Sequence, residues 1–319
     1  MSKQYALGID IGGTNTAYGL VNKSGDVIFE TSIPTTIFQQ PEDLISAIYV
    51  DIQNQHSIDN IIGIGIGAPN GNHFTGNIEY APNLTWKGII PLAKLFEEKF
   101  NVPAQLTNDA NAAALGEKIF GKAKDLKNFV TITLGTGLGS GVFINDEIVY
   151  GQNGFAGEYG HIRIIPNGRL CKCGRKGCLE TYASSTGMKR SILELDSNYK
   201  QDSILLKLET ATAKDVFEQA KNGDQFAMEI VEFTAEILGS ALADFACFSD
   251  PQAYILFGGI AQSGQEFANR VKYYLEENIL TIYKNKIEVR TSSLHSLNAA
   301  ILGSAAAVFA KINKTPIHS

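Results

Sequence analysis

A strand, glycine turn, strand unit occurs twice, and it limits the fold more than any other feature of the chain. Residues 6–21 read Ala-Leu-Gly-Ile-Asp-Ile-Gly-Gly-Thr-Asn-Thr-Ala-Tyr-Gly-Leu-Val; residues 130–144 read Val-Thr-Ile-Thr-Leu-Gly-Thr-Gly-Leu-Gly-Ser-Gly-Val-Phe-Ile. In both, an apolar, β-branched run stops at glycines, resumes, and is followed by a second tight turn and another strand. The copies lie about 125 residues apart, as expected of a duplicated core with one copy in each of two lobes. With 319 residues and 44% hydrophobic content, the chain has material for both.

Punctuation along the chain places the remaining elements. Strands are expected over Ala6–Asp10, Thr16–Val21 and Val27–Ile33, then a helix from Pro41 with Leu44, Ile45, Ile48 and Ile52 on one face. Ile61–Gly67 reads as a buried strand. Its Gly63-x-Gly65-x-x-Ala68 loosely fits a dinucleotide fingerprint, but Pro69 follows at once and leaves no helix N-terminus for a pyrophosphate. Helices near Pro91–Phe100 and Ala110–Phe120 flank a strand at Ala104–Thr107. Asp224–Phe248 is a long helix, and Tyr254–Phe257 a strand ending in Gly258-Gly259. The first lobe is assigned residues 1–120 plus an Ala-rich closing helix at about 298–319; the second is assigned 121–297, starting at the polar run Gly121–Lys127.

A net charge of −6 with no Lys/Arg cluster argues against nucleic acid as a partner. No signal-peptide pattern opens the chain, and no apolar stretch reaches the ~18 residues of a membrane span. A cytoplasmic protein without a membrane partner is therefore expected. Four cysteines are too few for a disulfide scaffold in a chain of this length. Cys247, alone in an apolar helix, reads as a small core residue.

Three clusters carry chemistry. The turns Gly12-Gly13-Thr14 and Gly135-Thr136-Gly137 lack Cβ atoms where successive N–H groups would converge on phosphate oxygens, although ordinary tight turns have the same composition. Asp10, ending the strand before the first turn, is placed to hold Mg²⁺ through water. Asn108-Asp109 enters an Ala-rich helix, where a carboxylate is either a helix cap or a general base toward an attacking hydroxyl. A base in phosphoryl transfer can keep an ordinary Asp pKa. Finally, Cys171-x-Cys173-x₄-Cys178, with glycines that let the chain fold back and His161 upstream, is a ligand set for a structural zinc. Glu158 and Glu180 flank that knot, either as solvated surface or as a clamp for a ring of hydroxyls.

These motifs resemble the ROK family of repressors, open reading frames and sugar kinases. The resemblance rests on Asp10-Ile-Gly-Gly-Thr14, Asn108-Asp109-Ala-Asn-Ala-Ala, Gly135-Thr-Gly137, Glu158-x-x-His161 and Cys171-x-Cys-Gly-x-x-Gly-Cys178-x-Glu180. It implies an α/β, two-lobed, actin-like ATPase fold of the ribonuclease H-like type, with a duplicated βββαβαβα core and a structural zinc loop. ATP and a hexose would meet in the cleft. It further implies Asp109 as catalytic base, and Asn108, Glu158, His161 and Glu180 as sugar ligands, His161 also binding zinc. Gly258 and Gly259 would pack on the adenosine, and a homodimer is implied. Ala81-Pro-Asn-Leu-Thr-Trp-Lys87 resembles the glucokinases of the family, with Asn83 near the sugar and Trp86 packed nearby. Glucose is thus the expected substrate; kinases for N-acetylmannosamine, N-acetylglucosamine, mannose or fructose share every catalytic motif. A sugar-sensing regulator without turnover and an actin- or chaperone-like ATPase are the other readings. Asn15 stands where many members have Lys after Gly-Gly-Thr, so that positive charge is absent. About five residues precede the first strand, which leaves no room for a repressor's DNA-binding helices.

Overall fold

The computed structural model describes residues 4–294 and 296–314. The chain packs as two units. One holds the residues up to Asp125, the segment Ile148–Ala156 and the chain from Ser293; the other holds Leu126–Glu147 and Gly157–Ser292.

The sheet of the first unit starts with β1 (Tyr5–Ile11), β2 (Asn15–Asn22) and β3 (Val27–Pro34) and continues, after α1 (Pro41–Gln55), with β4 (Ile61–Gly67). A small hairpin of β5 (Ile78–Glu79) and β6 (Ile89–Ile90) leads through α2 (Leu92–Phe100) to β7 (Ala104–Thr107) and α3 (Asp109–Ile119). The strand order is β3-β2-β1-β4-β7, antiparallel among β1–β3 and parallel from β1 through β4 to β7. Pro41 opens α1 at a position where its missing N–H has no cost, and Glu42 and Asp43 suit the positive end of the helix. Leu44, Ile45, Ile48 and Ile52 are all buried, each contributing about 1.5–3 kcal/mol of apolar transfer.

Gly8 and Gly65, on the parallel strands β1 and β4, have a different role. A Cβ on either would run into the carbonyls of Ile301 and Ser304 in the closing helix, Ser296–Lys314. That helix lies with its backbone directly on the sheet, an approach that only glycine permits. The expected closing helix runs on through residues 315–319, which lie outside the described ones.

The second unit repeats the plan. It contains β8 (Phe129–Leu134), β9 (Leu138–Ile144), β10 (Glu147–Ile148), α4 (Ser185–Glu194), α5 (Ala213–Lys221), α6 (Gln225–Ser249), β11 (Ala253–Phe257), α7 (Gln265–Asn278) and β12 (Glu288–Thr291). The sheet order β10-β9-β8-β11-β12 matches that of the first unit position for position, with β8, β11 and β12 parallel. The duplicated α/β fold is therefore present in both halves. Among the described residues, no helix is long and apolar enough to cross a membrane.

One sequence expectation fails. Cys247 is exposed, not in the core. On α6 it follows the buried Ala246 and precedes Phe248, which is 83% exposed, so the helical period turns both outward. An apolar helix hides its exposed stripe when that stripe is itself apolar.

Candidate active site

In the first unit, parallel pairing sets Asp10 beside Gly67 and Gly67 beside Thr107, in one row across the carboxyl ends of β1, β4 and β7. Ligands of open α/β sheets gather at this edge. The turn after β1 is closed by the Gly12 N–H donating to the Asn15 carbonyl at 2.9 Å. Gly13 lies against the backbone of Asn83, so closely that a Cβ there would strike the Asn83 carbonyl. Thr14 is tied through its carbonyl to the Thr35 N–H at 2.8 Å. Trp86 is a core residue, 5% exposed, whose indole N–H donates to the Phe38 carbonyl at 3.1 Å.

At the end of β7 the cap is Asn108. Its Oδ1 accepts the Asn111 N–H at 2.6 Å, in extended backbone geometry. Asp109 occupies the first helical position, where its Oδ1 accepts the Ala110 N–H at 2.9 Å. The cap is thus Asn108, and Asp109 is a first-turn residue rather than the cap. The Asp109 carboxyl keeps an exposed surface, yet burial by surrounding protein holds its pKa above the ordinary carboxylate value. Burial likewise pushes Asp10 up to about 7, and the negative charge of Asp109 adds to it. A base in phosphoryl transfer can keep an ordinary Asp pKa, and the upward shift at Asp109 is a packing effect that the sequence does not display.

In the second unit, Gly135-Thr136-Gly137 joins β8 to β9, with the Gly135 N–H donating to the Gly137 carbonyl at 3.0 Å. Gly258 follows β11, parallel to β8; its φ of +99° and a Cβ site 2.8 Å from the Leu134 carbonyl both require glycine. Around Gly259 the space is open. The carboxyl ends of β8 and β11 thus carry the second turn and the Gly258-Gly259 pair side by side.

The cysteine loop packs within the same unit. His161 Nδ1 is 3.7 Å from Cys171 Sγ, and Cys173 Sγ is 3.7 Å from Cys178 Sγ. All four ligand atoms lie within 4.8 Å of one another. A tetrahedral ion about 2.3 Å from each sulfur would space its ligands about 3.8 Å apart, so the donor set fits zinc. The thiols fit a cation too. Burial pushes Cys171 up to about 12, whereas Cys173, against its own burial, is drawn down to about 6 by hydrogen bonds from Arg175. Only a bound cation would hold all three as thiolates. Gly174 and Gly177, at φ of +87° and +82°, make the reversals that bring the ligands together.

Nδ1 faces the thiolates, so Nε2 of His161 points the other way and lies 4.0 Å from Glu158 Oε2. Glu180 sits between two features: Oε1 is 3.7 Å from Cys171 Sγ, and Oε2 accepts the Leu138 N–H at 3.1 Å. A Cβ on Gly137 would collide with that carboxylate, so this glycine makes room for Glu180 as well as shaping the turn. Sequence reading passes over Leu138 and Ser140. The Ser140 hydroxyl donates to the Gly157 carbonyl and accepts the Tyr159 N–H at 3.3 Å, which holds the segment carrying Glu158. The only sequence signal for this was the short side chain at an inward position of β9.

Known proteins resemble this chain over most of its length. The profile of the ROK family matches residues 6–311. A glucokinase of Halalkalibacterium halodurans is 36% identical over 314 residues, 95% of this chain and 94% of that one. A xylose repressor of Caldicellulosiruptor bescii is 31% identical over 320 residues, 97% of this chain and 79% of that one. The crystal structure of a ROK family glucokinase from Streptomyces griseus, in complex with glucose and AMPPNP, superposes with a TM-score of 0.80 at 31% identity, covering 95% of this chain and 98% of that one.

Proposed function

The chain belongs to the ROK family and is a sugar kinase by type; on that footing we propose that it phosphorylates glucose with ATP, giving glucose 6-phosphate, in the cytoplasm. The observation that carries the reading is the edge of the first sheet, where Asp109 heads α3 beside Asp10, the Gly12–Thr14 turn and Asn83.

Asp109 accepts the proton of the sugar O6 hydroxyl as that oxygen attacks the γ-phosphorus in line and the bond to ADP breaks. Its raised pKa makes the ionised carboxylate a stronger base. Asp10 would hold, through water, the Mg²⁺ that accompanies ATP, and that ion would supply charge neutralisation at the phosphates. The N–H groups of both glycine turns contribute donors to those phosphates, and Gly258 and Gly259 receive the adenosine. Asn83, Asn108, Glu158, His161 and Glu180 bind sugar hydroxyls. His161, Cys171, Cys173 and Cys178 would hold zinc as a structural ion, since four protein ligands would leave it no open position. With Nδ1 toward the cysteines, the Nε2–H of His161 would be left to donate to the sugar.

Glucose is favoured by the Asn83 segment and by relatives that are glucokinases. A coupled assay with ATP and a panel of hexoses tests the choice: the highest kcat/KM is expected for glucose, and a higher value for N-acetylmannosamine or mannose would displace it. Asp109→Asn should cut turnover about 10³-fold while glucose binding by calorimetry persists. Turnover near wild type would end the base assignment. The existence of related repressors gives a second reading, a sugar-responsive regulator, which failure of every sugar on the panel to elicit ADP release would revive.

A further inference from the structure

Arg169 enters none of the chemistry above, yet its side chain is bonded at every nitrogen of the guanidinium. Its Nε donates to Glu194 Oε2 at 2.7 Å. Nη1 donates to the carbonyls of Thr181 at 2.9 Å and Gly187 at 3.1 Å, and Nη2 donates to Ser191 Oγ at 3.1 Å. The guanidinium carbon lies 4.6 Å from the centre of the Tyr182 ring, whose hydroxyl accepts the Arg169 backbone N–H at 2.8 Å. The side chain is 8% exposed.

Burying a guanidinium is costly, and an apolar residue of similar size would hold a loop down equally well. What an apolar residue lacks is the planar fork, which fixes the positions of several acceptors at once. Three of those acceptors, Gly187, Ser191 and Glu194, belong to α4; the fourth, Thr181, directly follows Glu180. On its other side Glu180 is two residues from Cys178, a member of the metal ligand set. The glutamate therefore sits on a short turn, Leu179–Thr181, with the metal knot at one end and the guanidinium at the other. The surface pair of Arg190 with Glu194, at 3.2 Å, reaches no carbonyl of this turn.

We propose that Arg169 is a positioning residue for sugar recognition, a second and metal-independent anchor that fixes the Glu180 turn against α4. The inference rests on the sugar-kinase reading and on Glu180 as a sugar ligand. It is tested with Arg169→Met, Arg169→Lys and Ser191→Ala, each compared with wild type for zinc content, glucose KM and ATP KM. Arg169→Met should keep its zinc, raise the glucose KM tenfold or more and leave the ATP KM within twofold. Arg169→Lys should recover little, because an ammonium cannot span the acceptors of the fork. An unchanged glucose KM, an equal rise in both KM values, or loss of zinc would overturn the proposal. Should Arg169→Met fail to fold, Ser191→Ala decides: it removes one bond of the fork, and its glucose KM should rise severalfold while its ATP KM stays put. An unchanged value there also overturns it. Glu180→Gln separates this inference from the reading beneath it. If that substitution leaves the glucose KM unaltered, the sugar clamp itself is wrong; if it raises KM and the Arg169 variants do not, only the anchor is wrong.

Discussion

The two sheets share an order and a turn, but they differ in what stands at the end of the first strand. Counting back from the turns, Asp10 of β1 corresponds to Thr133 of β8. Asp10 is a carboxyl pushed up to about 7; Thr133 is a neutral hydroxyl whose Oγ1 accepts the Gly139 N–H at 3.0 Å, closing its own turn. The second copy holds its carboxylates elsewhere, on the loop around the metal knot. There Glu180 is fixed by the Leu138 N–H and lies within reach of Cys171. The backbone turn is thus common to both units, while the raised carboxyl of Asp10 belongs to the first and Glu180, beside Cys171, belongs to the second.

The comparison breaks most visibly at its charged end. Asp10→Asn should lower kcat about 10²-fold through lost stabilisation of charge at the phosphates, whereas Thr133→Val should cost only severalfold, as read in a coupled ADP assay. Similar losses in both variants would mean that the two positions never diverged. Next comes the metal. Removing zinc should lower glucose affinity at least tenfold before ATP affinity changes, measured by calorimetry on chelator-treated protein. An equal loss of both would reduce the knot to a staple of the fold.

A subtler effect lies in pH. The folded pKa of Asp10, about 7, is above its ordinary value of 3.8, so the folded state binds the extra proton. Its contribution to stability is complete below about pH 4 and is lost as pH rises toward 7, with Asp109 acting in the same direction. Without Mg²⁺ or nucleotide, the melting temperature of Asp10→Asn relative to wild type should therefore rise as pH goes from about 4 to 7. The smallest effect is expected on the outer face of α6. Cys247→Ser should shift stability by no more than about 0.5 kcal/mol in denaturant titration, as for other exposed positions. A core cysteine would have cost more.

Local chemistry made much of this legible. The β1–β3 meander showed in its alternation, α1 in its proline and apolar stripe, and the metal set in its cysteine and glycine spacing. What stayed hidden depends on distant packing. No local pattern says that Ile148–Ala156 joins the first unit, that the Asp109 carboxyl is crowded enough to shift its pKa, or that Arg169 finds its acceptors on α4. Asn108 and Asp109 were both read as functional, but only the backbone distinguished cap from base candidate.

The glycines of β1 and β4 have one more consequence, for the order in which the protein is made. Their bare backbone is covered by the closing helix, whose residues are made after the strands of both sheets. The β1 strand therefore waits for a segment made much later. The second unit, apart from its excursion at Ile148–Ala156, is complete by Ser292. During translation it can settle while the first sheet still lacks its cover, so the half that carries the acid pair is the later one to mature.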